Sequence, residues 1–124
     1  MSMSNKNILI IDDTVSTTMQ VAMQLKKQGY NTVEANTAQV GIVLFENGKY
    51  DFVVSDLLMP AEEDGFNLLT NLKNIITSSK IDTKVIVLSA SPRKEYEERC
   101  IKAGADYYIE KDKNWQEKLI SIIN

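Results

Sequence analysis

The chain has 124 residues, 44% of them hydrophobic and 25% charged, with a net charge of -3 and no histidine. That length suits one domain over residues 1–124 with its own core. An acidic balance without a basic stripe speaks against direct nucleic-acid binding, and the lack of histidine excludes histidine bases, histidine metal ligands and a phosphohistidine carrier.

Residues Met1 to Lys6 have no apolar stretch behind a basic start, so no signal peptide is expected. No apolar run approaches the ~20 residues of a membrane span. Cys100 is the only cysteine and cannot form an internal disulfide; its spacing suits a small hydrophobe on a helix. The expected location is the cytoplasm.

Asn7 to Asp12 reads as a fully apolar strand ending in acid. A helix is expected over Thr14 to Gln28, with Val15, Met19, Ala22 and Leu25 near helical spacing and Gly29 as its stop. Asn31 to Ala35 is a short strand, and Ala38 to Glu46 a helix closed by Asn47-Gly48. In that helix Val40, Ile42, Val43, Leu44 and Phe45 leave little polar face, which fits either burial between neighbours or a partner-contact patch.

Phe52 to Val54 is a strand buried on both faces that ends at Asp56, shortly before Pro60. Gly65 is expected to open a long helix with Leu68, Leu69, Leu72, Ile75 and Ile76 on one face. Lys84 to Leu88 is a fourth strand ending at Ser89. Pro92 suits the first turn of a helix running to about Lys102, with Gly104 as its end. Asp106 to Ile109 is a fifth strand ending near Lys111, and Trp115, Leu119, Ile122 and Ile123 stripe a final helix.

Strands alternating with helices through short loops imply an α/β fold, a parallel sheet with right-handed crossovers. Such sheets hold ligands at the carboxyl ends of their strands. Those ends supply Asp12, Asp13, Asp56, Ser89 and Lys111. Carboxylates ~4–5 Å apart repel by roughly 3–4 kcal/mol per pair at an effective dielectric near 20, more than one lysine offsets. A hard divalent cation offsets it, and Mg²⁺ favours one or two carboxylates together with water and a substrate phosphate. With Mg²⁺ present, Asp56 is the expected nucleophile toward phosphorus, while Lys111 and Ser89 pair with phosphoryl oxygens. Taken singly, Asp13 also fits a helix cap, Ser89 a strand-end backbone partner and Lys111 a solvated surface lysine.

Together the stretches Ile8-Leu9-Ile10-Ile11-Asp12-Asp13, Asp56-Leu57-Leu58-Met59-Pro60, Asp64-Gly65, Leu88-Ser89-Ala90 and Gly104-Ala105-Asp106-Tyr107-Tyr108 before Lys111 resemble the receiver domain of two-component response regulators, most of all the single-domain chemotaxis type. The resemblance implies a doubly wound, flavodoxin-like sheet of five parallel strands in the order 2-1-3-4-5 with five helices. It implies Asp56 as phosphoacceptor, Asp13 and Asp56 as direct Mg²⁺ ligands with the Leu58 carbonyl, and Asp12 as the acid holding the metal through water. Ser89 and Lys111 stand at the hydroxyl and lysine positions, and Tyr108 falls on the switch aromatic, although a half-exposed edge-strand aromatic fits it too. The implied donor is a histidine kinase or phosphotransfer protein, and the implied output is a protein target on the face of the fourth helix, fifth strand and fifth helix. Trp115 near that face suits the core or a contact.

Three departures from the family pattern stand out. Asp112 replaces the proline that usually follows the lysine through a cis bond, which for a non-proline residue costs ~2.5–4 kcal/mol, so a strained or a trans loop is expected. Ala61 to Gly65 is one residue longer than usual and adds negative charge beside the site. Leu58 and Ser91 hold positions that affect water access; apolar Leu58 is expected to prolong an acyl phosphate, and equal phosphate loss from the parent and Leu58→Asn would remove that idea.

Two other readings remain. One is a docking module with a decayed site. The other is a Mg²⁺-dependent phosphohydrolase, disfavoured because Asp12 and Asp13 are adjacent rather than separated by one residue and there is no cap domain. An FMN binder is disfavoured because an acidic pair repels the flavin phosphate. The expectation is thus not an enzyme acting on an external substrate but a self-phosphorylating switch. The last helix ends at the final residue, Asn124, so the chain either acts alone or is part of a longer regulator or hybrid kinase.

Overall fold

The structure is a computed structural model, and it describes residues 6–56, 62–90 and 94–124, with the side chains of Glu62 and Glu63 excepted. Strands β1 (Asn7–Ile11), β2 (Asn31–Ala35), β3 (Phe52–Asp56), β4 (Lys84–Ser89) and β5 (Tyr107–Glu110) alternate with helices α1 (Val15–Lys27), α2 (Ala38–Asn47), α3 (Glu62–Ser79), α4 (Lys94–Ala103) and α5 (Trp115–Ile123). The sheet order is β2-β1-β3-β4-β5, with every neighbouring pair parallel.

Alternate side chains of the central strands enter two cores, which is why these strands are apolar at nearly every position. Leu9, Ile11, Val53, Val85 and Val87 pack with Phe45 of α2, Leu68, Leu69 and Leu72 of α3, and Cys100 of α4. Ile8, Ile10, Val54, Ile86 and Leu88 pack with Val21, Ala22 and Leu25 of α1 and Leu119 and Ile123 of α5. Trp115 packs partly buried against this second core, so the core-facing reading holds for it. The end of α5 is tied down by Lys6, whose ammonium donates to the Ile123 carbonyl and lies 5.5 Å from the Phe52 ring centroid. A cation at that end also suits the helix dipole.

Three expectations need correcting, and α2 shows a mixed face. The buried face of α1 is Thr18, Val21, Ala22 and Leu25, whereas Val15 and Met19 face solvent with Met23. Thr18 can occupy the core because its hydroxyl donates to the Val15 carbonyl at 2.9 Å. Helix α3 begins at Glu62, so Glu62, Glu63 and Asp64 form its first turn and Gly65 is a buried residue inside it. Strand β5 starts one residue late: Asp106 still donates its N–H to the Val85 carbonyl, but its carboxylate accepts from the Val85 N–H at 2.8 Å, replacing a ladder bond. In α2, Gly41 and Phe45 are the buried positions, while Val40 and Val43 remain 47% and 56% exposed, so that helix is only partly covered. The positions of Leu58, Pro60, Ser91 and Pro92 lie outside the described residues.

Among the described residues, no helix is long and apolar enough to cross a membrane. Cys100 is fully buried and free, and burial pushes its thiol from 9.0 up to about 11.

Candidate metal centre

The register of three strands assembles the site. Ile11 pairs with Ser55, so the next residues, Asp12 and Asp56, emerge side by side from β1 and β3. Asp56 pairs with Leu88, which sets Ser89 one step beyond it on β4. Ser89 pairs with Glu110, and the Lys111 N–H continues the ladder to the Ser89 carbonyl at 2.7 Å. Asp12, Asp13 and Asp56 each bring a carboxylate oxygen within 4.8 Å of the other two.

These acids are not equivalent. Asp12 is buried, Asp56 intermediate and Asp13 exposed. The Asp12 carboxyl accepts from the Thr14 N–H at 2.9 Å, closing the β1–α1 turn. Burial raises its pKa above the ordinary carboxylate value; the Thr14 N–H and the Lys111 charge pull the other way, and the Asp13 charge adds to the rise. Lys111 Nζ stands 3.7 Å from Asp12 Oδ2, an ionic approach longer than a hydrogen bond. Among the described residues, the half-buried Lys111 ammonium thus lies beside one member of the three-carboxylate cluster. Three clustered hard oxygen donors suit Mg²⁺, which takes carboxylates and completes its shell with water. Asp12, Asp13 and Asp56 are the described side chains that would hold it; Leu58 lies outside the described residues.

Ser89 is fully buried and hydrogen-bonded to the Tyr108 side chain, whose ring packs half-buried against the first core. Burial raises the Tyr108 phenol above its ordinary value, and the Ser89 hydrogen bond opposes that rise. The structure thus joins Asp12, Asp13, Asp56 and Lys111 around one point, with Ser89 and Tyr108 as a pair on the adjoining strands.

The Lys111–Asp112 bond is trans, as are all peptide bonds among the described residues. Asp112 shapes the turn by hydrogen bonds instead. Its N–H donates to the Glu110 carbonyl at 2.8 Å, and its carboxylate accepts from the Asn114 N–H at 2.8 Å and from Lys118 Nζ at 3.0 Å. The Lys118 contact above all holds the Asp112 carboxyl below the usual range. Sequence reasoning missed Asn36, whose side-chain amide donates to the Asp12 carbonyl at 2.9 Å and to Thr18 Oγ1 at 3.3 Å, bracing the loop that carries Asp12 and Asp13. Its one available signal was an amide directly after a strand, Glu34-Ala35-Asn36.

Comparison with known proteins agrees with this architecture. The response regulator receiver domain model matches residues 8–124. A gliding motility regulatory protein of Myxococcus xanthus is 31% identical over 117 residues, 94% of this chain and 15% of that protein. The cell cycle transcriptional regulator CtrA of Caulobacter vibrioides is 28% identical over 104 residues, 84% of this chain and 43% of the regulator. The chain thus spans about half or less of the length of such curated relatives. A CheY-like receiver domain protein of Methanospirillum hungatei superposes with a TM-score of 0.82 at 28% identity, covering 97% of this chain and 92% of that one. The receiver domain of Francisella response regulator 1452 gives 0.81 at 29% identity, covering 97% and 94%. With the sheet order, the clustered acids and a family match that runs from β1 to the last residue, this chain belongs to the response regulator receiver domains.

Proposed function

We propose that the chain is a phosphorylation-driven switch that takes a phosphoryl group on Asp56 from a histidine kinase or phosphotransfer protein. The observation that carries this reading is the gathering of Asp12, Asp13 and Asp56 within 4.8 Å in a chain of the receiver family. In the transfer, an Asp56 carboxylate oxygen bonds to phosphorus as the bond from phosphorus to the donor's imidazole nitrogen breaks, leaving an acyl phosphate. Bound Mg²⁺ supplies neutralisation of the phosphoryl oxygens and of the acids around them.

Lys111, 3.7 Å from Asp12, is a cation within reach of the same space and pairs with a phosphoryl oxygen. Ser89 donates its hydroxyl to another. Doing so draws Ser89 away from the Tyr108 phenol to which it is hydrogen-bonded. The added charge of about -1.5 to -2 thereby biases the α4-β5-α5 surface that meets a downstream protein. No external substrate is turned over; the only reactions are self-phosphorylation and slow hydrolysis of the acyl phosphate.

Incubation with acetyl phosphate and Mg²⁺ should add one phosphoryl group to the intact mass. The gain should vanish in Asp56→Asn and on chelation of the metal. An unmodified parent chain that also fails to bind Mg²⁺ would favour the docking-module reading instead.

A further inference from the structure

The turn from β5 into α5 carries Lys111 and is built without the proline of the family pattern. Lys111 is the middle residue of a three-residue turn closed by the Asp112 N–H, which donates to the Glu110 carbonyl at 2.8 Å. A proline at position 112 has no N–H and could not make that bond. The Lys111 N–H is itself held by the Ser89 carbonyl at 2.7 Å. The Asp112 carboxylate then fastens the turn to the next helix. Its Oδ1 accepts from the Asn114 N–H at 2.8 Å, a side-chain turn two residues on, and its Oδ2 accepts from Lys118 Nζ at 3.0 Å. Lys118 belongs to α5, whose Leu119 and Ile123 are fully buried in the second core, so the helix at the far end of this tie is itself fixed.

The aim of the Lys111 side chain depends on this turn. Strands β1, β3, β4 and β5 lie in that order at ~4.8 Å spacing, so the ends of β1 and β5 stand about 14 Å apart. A lysine stem spans less than half of that distance. Nζ comes to 3.7 Å from Asp12 Oδ2 because the stem is aimed back across β4. That stem is flexible and rich in rotamers, so a turn free to reorient would spread the ammonium over the solvent side of the edge strand instead. The two bonds accepted by the Asp112 carboxylate oppose such reorientation, and both donors belong to the start of α5 and its first turns.

We infer that Asp112 is a positioning residue for Lys111: its carboxylate, shared between the Asn114 N–H and the Lys118 ammonium, holds the turn that aims Lys111 at the acid cluster. Asp112 acts through Lys111 rather than by contact with the reacting atoms. Such a role presupposes the pairing of Lys111 with a phosphoryl oxygen proposed above.

The test is a rate and a spectrum measured on the full chain. With acetyl phosphate and saturating Mg²⁺, Asp112→Ala should gain the phosphoryl group about tenfold more slowly than the parent. Asp112→Asn, which keeps the Asn114 bond and loses the Lys118 one, should fall between the two. In a Lys111→Met background Asp112→Ala should cost nothing further, since no ammonium is left to aim. In the metal-free protein the Lys111 ε-methylene NMR signal, identified by its loss in Lys111→Met, should stand apart from those of the exposed lysines. It should move among them in Asp112→Ala. A rate for Asp112→Ala within about twofold of the parent, losses that multiply in the double variant, or a Lys111 signal that does not move would overturn the inference. A parent chain that takes no phosphoryl group would overturn the proposed function instead, and the Lys111 signal alone then decides the role of Asp112.

Discussion

Cys100 shows how far one residue's chemistry is set by its surroundings. It is fully buried, and its thiol is pushed from 9.0 up to about 11, first by desolvation, with Glu97 adding to the rise and Arg99 opposing it. Two pK units mean about a hundredfold less thiolate near neutral pH, and the thiolate is the reactive form. Labelling of the native protein by a maleimide near pH 8 should therefore run at least about a hundredfold slower than in denaturant. The linkage has a definite sign. A pKa raised by folding contributes stability that is complete below 9.0 and is lost as pH rises through about 11. Cys100→Ala should accordingly flatten the alkaline fall in the urea midpoint, at some cost in core packing at neutral pH. Asp112 is the reverse case: its carboxyl is lowered by Lys118, so its contribution is present at neutral pH and fades as pH falls through the folded value below 3.8.

At the scale of elements, helices α3 and α4 are held together at two places. The Arg99 guanidinium lies 3.8 Å from the Phe66 ring centroid, and Tyr96 meets the same ring edge-on at 6.4 Å. Arg99→Ala should cost about 0.5–1 kcal/mol, the range for an exposed cation–π pair, read as a lower urea midpoint with an unchanged slope. At the end of α4, Gly104 has φ +120, and a Cβ there would sit 2.7 Å from Lys73 Cβ on α3. Backbone strain and contact act together, so Gly104→Ala should destabilise by about 1–2 kcal/mol. Gly29, which ends α1 with φ +90, has open space around it, so an alanine there meets the strain alone and should cost less.

For the whole molecule, the acid cluster is a cost carried by the metal-free fold. Three carboxylates gather within 4.8 Å, with Lys111 3.7 Å from Asp12, and burial disfavours the charge on Asp12. Neutralising one member should relieve this. Asp13→Asn, changing an exposed side chain, should stabilise the metal-free protein by about 1 kcal/mol, allowing for screening by solvent. Mg²⁺ should reverse the ranking. An ion that binds only the folded state adds about 2.7 kcal/mol at one hundred times its dissociation constant, and Asp13→Asn should lose most of that gain. Thermal midpoints of both proteins, with Mg²⁺ and with chelator, check the crossing; parallel shifts in the two would refute it.

The order of elements and the choice of site acids were legible in the residues themselves. Short apolar runs rich in Ile and Val, such as Ile8 to Ile11 and Val85 to Leu88, favour strands covered on both faces, and parallel strands deliver their terminal residues to one edge. Asp12, Asp13, Asp56, Ser89 and Lys111 could be picked out because each follows or ends such a run. Local pattern did not decide which residues of α1 face inward, because Val15 and Met19 are as apolar as Val21 and Leu25. The packing of α1 on the sheet chose between them, and it buried Thr18 through a local hydrogen bond. Nor did local pattern reveal that Asn36 braces the acid-bearing loop or that Asp112 builds a trans turn where a proline was expected. Those roles rest on hydrogen bonds whose partners are chosen by the three-dimensional path of the chain. Periodicity reports which residues avoid water; only the folded chain fixes which polar groups meet.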